Sequence, residues 1–418
     1  MYNRQVKVTS GNLYFYVGTG TATALLSTHI RMTDPVDRDI LQKAVDTAMK
    51  RYPYLCVRPG IIDGSYYLMP NNLPFVVTDD GEFTPLGEAA SNYHLITFSC
   101  KDDEIMFNFD HGLMDGRGST DPIRSVLYYY CRFRYGRDFD CPGVKTADSP
   151  IAESEYECPY ERELPPFDTM TPAGNHTAFA LPEPKTGADG LCRTTAISVN
   201  QKAFMKVAKS MDSSPASLGA LLMLKAVEDV HPEHAEEICC AVAMDSRDAV
   251  GIPETHQNVS STFTVFYPEK MKKLPLETQG TCIRGQIILQ TDPGCVLKRF
   301  EAEKNLYRQA CTMETAEEKR DMYRSVLSSA MAVPLCSYVG RYEFGEIDKY
   351  IRSMHFLNNG FGGRLLEITA IGEDFGFDFN FGVEKSEYLA AYLRQFDALG
   401  IPYRHDREFL FRLPVRTY

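Results

Sequence analysis

Apolar residues recur at helical spacing from Val36 to Ala48: Val36, Ile40, Leu41, Ala44, Val45 and Ala48 fall on one face, which predicts an amphipathic helix. Asp34 can cap its free backbone donors, Pro35 suits its first position, and Asp37 favours the positive end of its dipole. Pro53 ends it, and Tyr54–Arg58 follows as a strand. Leu13–Val17 also reads as a strand. The clearest alternation is Glu104–Asp110, with Ile105, Phe107 and Phe109 on one side and Met106, Asn108 and Asp110 on the other. Asp121-Pro122 then starts a helix that runs to about Tyr135.

The second half opens with a strand near Thr194–Val199. A helix capped by Ser214 runs from Pro215 to Val230, and a strand follows at Ile238–Met244. Helical stretches are predicted near 293–310 and 314–330, and strands near Pro334–Val339, Leu365–Ile371 and Phe375–Phe381. Glu384–Leu399 forms a helix stopped by Gly400 and Pro402. Eight prolines crowd the stretch from Pro142 to Pro184, which has no long apolar periodicity. It reads as a crossover between lobes. The expected division is a first lobe at 1–145, a crossover at 146–185 and a second lobe at 186–418. Both halves mix helices and strands without the rhythm of a (β/α)₈ barrel, so layered α/β lobes are expected.

A chain of 418 residues is longer than one core usually grows, which supports two domains. The net charge of −12 works against nucleic acid and anionic lipid as partners. The longest apolar helical run, near Leu218–Val227, is too short for a transmembrane segment. The twelve cysteines form no C-x-x-C pair, and the start Met-Tyr-Asn-Arg is polar rather than a signal peptide. Free thiols in a reducing, cytoplasmic setting are expected. Tyr and Phe number 24 each, which suits a large core or an apolar ligand channel.

Candidate chemistry concentrates in Asp110-His111-Gly112-Leu113-Met114-Asp115-Gly116, between the strand 104–110 and the next helix. A histidine leaving a sheet edge there is suited to general-base work, because imidazole titrates near neutrality. Gly112 and Gly116 permit tight turns, and Asp115 can orient the loop or pair with an arginine. The plainer account is a capped β–α turn, since these residue types are common in such turns.

The run resembles the H-H-x-x-x-D-G signature of the chloramphenicol acetyltransferase and condensation-domain superfamily. That superfamily includes plant BAHD acyltransferases, wax ester synthases, alcohol acetyltransferases and polyketide-associated acyltransferases. Other segments resemble it in order and rough spacing over nearly the whole chain: Leu41–Val45 with Lys50–Arg58, Ala243-Met244-Asp245-Ser246-Arg247, Gln257-Asn258-Val259-Ser260-Ser261, and Asp374-Phe375-Gly376-Phe377-Asp378. Two departures stand out: Asp110 replaces the first histidine of the signature, and Gln257 replaces a common glycine. An acidic neighbour favours imidazolium if the side chains are close.

The resemblance implies two chloramphenicol-acetyltransferase-like layered lobes forming a pseudo-dimer with a channel between them. It implies His111 as the general base and Asp115 as the partner of an arginine, with Arg247 favoured and Arg58 next. Asn258, Ser260 and Ser261 become candidates to stabilise the oxyanion, with Asp110, Gly112 and Gly116 as structural support. The implied reaction moves an acyl group from an acyl-CoA or acyl-carrier-protein thioester to a hydroxyl or amine acceptor, with no tightly bound cofactor and no metal. The abundant aromatics hint at an apolar or aromatic small-molecule acceptor. The rival is a condensation-like binding module without catalysis.

Three further signals have plainer accounts. His231 and His234 have zinc-like spacing but read as an exposed polar turn. Gly360–Gly363 lacks the features of a phosphate loop. Lys270, Lys272 and Lys273 could meet the phosphates of a thioester donor, or form a solvated loop.

Overall fold

The computed structural model describes residues 5–17, 25–168, 177–182, 191–330, 332–358, 364–380 and 386–412. The Gly360–Gly363 run lies outside them. Two large sheets organise the described residues. One has five strands in the order Ile351–Asn358, Leu25–Met32, Glu104–Asp110, Ile96–Lys101 and Val77–Thr78. The other has seven, in the order Ser260–Tyr267, Ile238–Asp245, Leu335–Tyr342, Leu365–Ile371, Asp374–Asn380, Leu191–Asn200 and Tyr403–Arg412. The strand Ile351–Asn358 comes from the second half of the chain but pairs antiparallel with Leu25–Met32, placing His355 opposite His29. It also packs beside the strands Leu365–Ile371 and Asp374–Asn380 of the seven-stranded sheet.

Each sheet has its own apolar core. In the first, the helices Arg38–Ala48 and Thr120–Tyr135 pack together, burying Leu41, Ala44 and Val45 against the sheet. Tyr128, Tyr129 and Tyr130 are core residues of this lobe. In the second, the apolar helix Pro215–Val230 is buried between the sheet and the helices Leu276–Gln290 and Glu387–Leu399. Ser214 accepts a hydrogen bond from the Ser217 amide and caps that helix, with Pro215 in the first position.

Several local expectations shift. The first long helix starts at Arg38 because Asp37, not Asp34, accepts from the Asp39 and Ile40 amides; Asp34 instead accepts the Tyr135 hydroxyl at 2.7 Å. Tyr14–Val17 is a helical turn rather than a strand. The Asn12 side chain holds the Thr9 amide and hydroxyl at 2.9 and 2.8 Å, and this local bonding competes with strand pairing. Pro53–Leu55 is a short 3₁₀ turn, and the strand after it begins at Val57.

Candidate active site

The strand Glu104–Asp110 ends at the rim of its sheet, and the chain then turns sharply. Asp110 shapes the turn: its buried carboxylate accepts the Gly112 amide at 2.8 Å. A side chain at Gly112 would meet the Phe15 ring at 2.7 Å, so this position needs glycine for close approach. Leu113 and Met114 anchor the turn in the first core.

His111 is thereby held between fixed neighbours. Its ring stacks on Tyr14 with centroids 4.5 Å apart and 14° between planes. Nδ1 lies 3.2 Å from the Met114 carbonyl, an acceptor. That contact places the proton on Nδ1 and leaves the lone pair on Nε2. Asn258 Nδ2, a donor, is 3.5 Å from Nδ1 but also 3.4 Å from the His111 carbonyl, and it donates to the carbonyl. Burial lowers the His111 pKa, outweighing the Met114 carbonyl and the Asp115 charge, so the ring is neutral at neutral pH.

Asp115 joins the two halves. Its carboxylate meets Arg247 in a two-pronged ion pair, Oδ1 to Nη2 at 2.7 Å and Oδ2 to Nη1 at 3.0 Å. The Gly118 and Val259 amides donate to it at 2.7 and 3.2 Å. Burial alone would raise the Asp115 pKa, but Arg247 and the amides hold it below the usual range. Arg247 is itself buried and also donates to Asp245, Thr255 and Gln257. Arg58 is exposed on the strand Val57–Ile62 and makes no contact with Asp115.

Asn258, Ser260 and Ser261 arrive from the second half beside this loop. Asn258 Oδ1 accepts the Ser260 amide at 3.1 Å and its hydroxyl at 2.7 Å, which directs Nδ2 toward His111. The buried Ser261 hydroxyl lies 3.4 Å from that of Ser246. A cavity of about 180 Å³ is lined by Tyr14, His111 and Gly116 from the first half and by Ser260, Thr262, Tyr338 and Glu367 from the second.

Some of these residues carry no sequence signal linking them to His111. Tyr14 belongs to an aromatic run far away in the chain. Tyr160 donates its hydroxyl to Glu303 at 3.1 Å, and burial pushes the Glu303 carboxyl up to about 7. Glu367 does have a signal, as the lone charge in an otherwise uncharged strand.

His231, His234, Lys272 and Lys273 have ordinary partners. His231 Nε2 is 2.6 Å from the Tyr388 hydroxyl, and His234 Nε2 is 2.7 Å from Lys272 Nζ. Lys272 pairs with Glu228 and Glu269, and Lys273 with Glu269. These lysines follow Tyr267, at the end of its strand away from Ser260, roughly 23 Å off at ~3.3 Å per residue. Lys272 and Lys273 are thus engaged by carboxylates of their own surroundings. No described helix is long and apolar enough to cross a membrane.

No protein-family profile and no curated protein matches the sequence. Solved structures do match. F. graminearum TRI101 complexed with coenzyme A and deoxynivalenol superposes with a TM-score of 0.61 at 12% identity, over 96% of this chain and 99% of that one. Polyketide synthase associated protein 5 from Mycobacterium tuberculosis gives 0.60 at 10%, over 94% and 96%. The first condensation domain of the calcium-dependent antibiotic synthetase, in complex with a substrate analogue, gives 0.58 at 12%, over 95% and 96%. At these identities the likeness is one of fold: the chain has the two-domain α/β fold related to the chloramphenicol-acetyltransferase-like acyltransferases.

Proposed function

We propose that this protein is an acyltransferase in which His111 takes a proton from a hydroxyl or amine acceptor as it attacks an acyl thioester. The two sheets serve as lobes, the 110–116 turn lies where they meet, and the cavity forms part of a channel between them. One observation carries the reading. The His111 ring is fixed by Tyr14 and the Met114 carbonyl, so Nε2 keeps its lone pair beside a cavity built from both halves.

The acceptor O–H or N–H gives its proton to Nε2 while its heteroatom bonds to the thioester carbonyl carbon. The carbonyl oxygen becomes an oxyanion, for which Asn258 Nδ2 is the donor, with Ser260 orienting Asn258. Collapse breaks the carbon–sulfur bond, and the imidazolium returns the proton to the departing thiolate. Asp115 and Arg247 position the loop and stay out of the proton transfer, since their charges are matched to each other and to backbone groups. Holding both substrates together supplies much of the rate without a covalent enzyme intermediate.

The thioester is acyl-CoA or an acyl carrier protein. Acyl-CoA is the first donor to test, since the TRI101 complexes hold coenzyme A. The cysteines among the described residues are unbridged, which suits a reducing, cytoplasmic compartment.

His111→Ala should lower thiol release from acyl-CoA by about 100- to 10,000-fold while the circular dichroism spectrum stays unchanged. Undiminished turnover by the folded variant would overturn the mechanism. A folded wild-type chain that releases no thiol from any acyl-CoA or acyl-carrier-protein donor would favour the binding-module reading.

A further inference from the structure

Among the described residues, several buried carboxylates are satisfied at both oxygens. Glu155 accepts from Arg51 and the Ala152 amide through Oε1, and from the Tyr54 hydroxyl through Oε2. Asp378 pairs with His355 through Oδ1 and accepts the Phe356 amide through Oδ2, both at 2.8 Å. Asp115 is satisfied at both ends by Arg247 and two amides.

Glu367 differs. It is 5% exposed and lines the same cavity as His111. Oε1 accepts from Asn358 Nδ2 at 3.3 Å, while the buried Oε2 has no hydrogen-bond partner among the described residues. Ser337, on the same cavity wall, favours the charged form without a well-directed bond to Oε2. Asp378 lies directly opposite on the neighbouring strand. Burial, with the Asp378 charge adding to it, pushes the Glu367 carboxyl up to about 7.

A buried carboxyl oxygen without a donor is costly, and a structural role would have supplied one. The missing donor has room to come from the cavity. Strong repayment requires a donor with positive charge or a short O–H bond. The pantetheine arm of a thioester offers neutral amides and a hydroxyl but no positive charge, and it ends in anionic phosphate; an acceptor can bring either a hydroxyl or a cationic group, so it is the better source.

We propose that Glu367 selects the acceptor: its Oε2 accepts a hydrogen bond from a hydroxyl or protonated amino group that the acceptor carries besides its nucleophile. The proposal rests on the acyltransferase reading, in which the acceptor occupies this cavity. It narrows the acceptor to a molecule with at least two polar groups, rather than a purely apolar or aromatic one.

The test is equilibrium binding to the full chain by calorimetry without a thioester, so that it does not depend on turnover. The probes are propane-1,3-diamine, 3-aminopropan-1-ol, propane-1,3-diol and propan-1-ol. The first three should bind wild type about tenfold or more tighter than propan-1-ol. Glu367→Leu should level all four. Glu367→Gln, which keeps the shape and loses the charge, should keep the diol preference and lose the diamine preference. Equal affinities of wild type for the four probes, or no binding of any of them, would overturn the proposal. His111→Ala removes the same contact from every probe, so it should lower turnover yet keep the preference for the first three over propan-1-ol; a failed base and a failed selector thus give different results.

Discussion

Two histidines, His111 part-buried and His355 buried, stand where the halves of this molecule meet, and their surroundings tune them in opposite directions. His111 ends a strand of the five-stranded sheet, stacks on Tyr14 and stays neutral because burial lowers its pKa. His355 lies on the strand that crosses between the sheets, with Nδ1 2.8 Å from Asp378 and Nε2 3.4 Å from Asp406. Burial alone would lower its pKa too, but the two carboxylates outweigh it and raise the ring to about 9. Both rings have a carboxylate nearby, so proximity is not what separates them. At His111 the carboxylate is Asp115, already matched by Arg247 and two amides. At His355 the carboxylates meet the ring itself. The first arrangement leaves a neutral ring with a lone pair on Nε2, and the second makes a cation held between carboxylates.

The sharpest way to break this contrast is to exchange what each histidine loses. His111→Ala should remove turnover and leave the fold. His355→Leu should do the reverse, because it leaves the buried Asp378 without its cation and takes one partner from the half-buried Asp406. Losing one partner of a buried charge cluster typically costs about 3–5 kcal/mol. The expected result is a matching fall in unfolding free energy by urea titration, with thiol release per folded molecule near the wild-type rate. Full stability in His355→Leu would show that the two carboxylates do not need the cation.

The next test uses pH and reads the two rings in opposite limbs. His111 must be unprotonated to act, and its pKa is below 6.5, so kcat/KM should hold at neutral pH and fall only on the acid side. His355 is raised from 6.5 to about 9. The folded state therefore holds its proton more tightly than the unfolded state. That stabilisation is complete below pH 6.5 and is lost as pH rises through about 9. Its partner Asp406 is lowered from 3.8 to about 2, a smaller shift than that of the histidine. Together they suggest roughly 2–3 kcal/mol. Urea midpoints measured near neutrality and well above the His355 pKa should differ more for wild type than for His355→Leu. An alkaline loss of the same size in both would remove His355 as its source.

The two histidines also differ in how legible they were. The His111 turn is continuous in sequence, so Asp110, His111, Gly112, Asp115 and Gly116 could be read as one unit beside a clean strand. The segment at 243–261 could be read too, because its residues also lie close together in the chain. The seam around His355 could not. Its strand, Ile-Arg-Ser-Met-His-Phe-Leu-Asn, pairs with Leu25–Met32 more than three hundred residues earlier, and nothing local announces that partner. The Asp374–Asp378 segment was noticed for its resemblance, while its physical role shows only in three dimensions. Gly376 allows the Met354 carbonyl to come within 3.0 Å of where a side chain would begin, and Asp378 holds His355. The helix Leu276–Gln290 escaped because its apolar positions, including Cys282, Ile283, Ile287, Ile288 and Leu289, do not gather on one face. Periodicity and short motifs expose local chemistry, whereas long-range pairing leaves little trace in a single chain.

The smallest expected effect bears on the departure at Asp110. If its charge governed His111, Asp110→Asn would change the acid limb of activity. The geometry assigns the carboxylate a different task, because Oδ1 accepts the Gly112 amide at 2.8 Å and closes the turn. Asparagine supplies the same acceptor oxygen, so Asp110→Asn should leave both stability and the acid limb near wild type. Asp110→Ala removes the acceptor and leaves a buried amide without it, which should cost about 1 kcal/mol and loosen the His111 ring. The expected order of turnover is wild type, then Asp110→Asn close behind, then Asp110→Ala lower by a few-fold. A large shift of the acid limb in Asp110→Asn alone would mean that charge, and not turn geometry, is what this aspartate contributes.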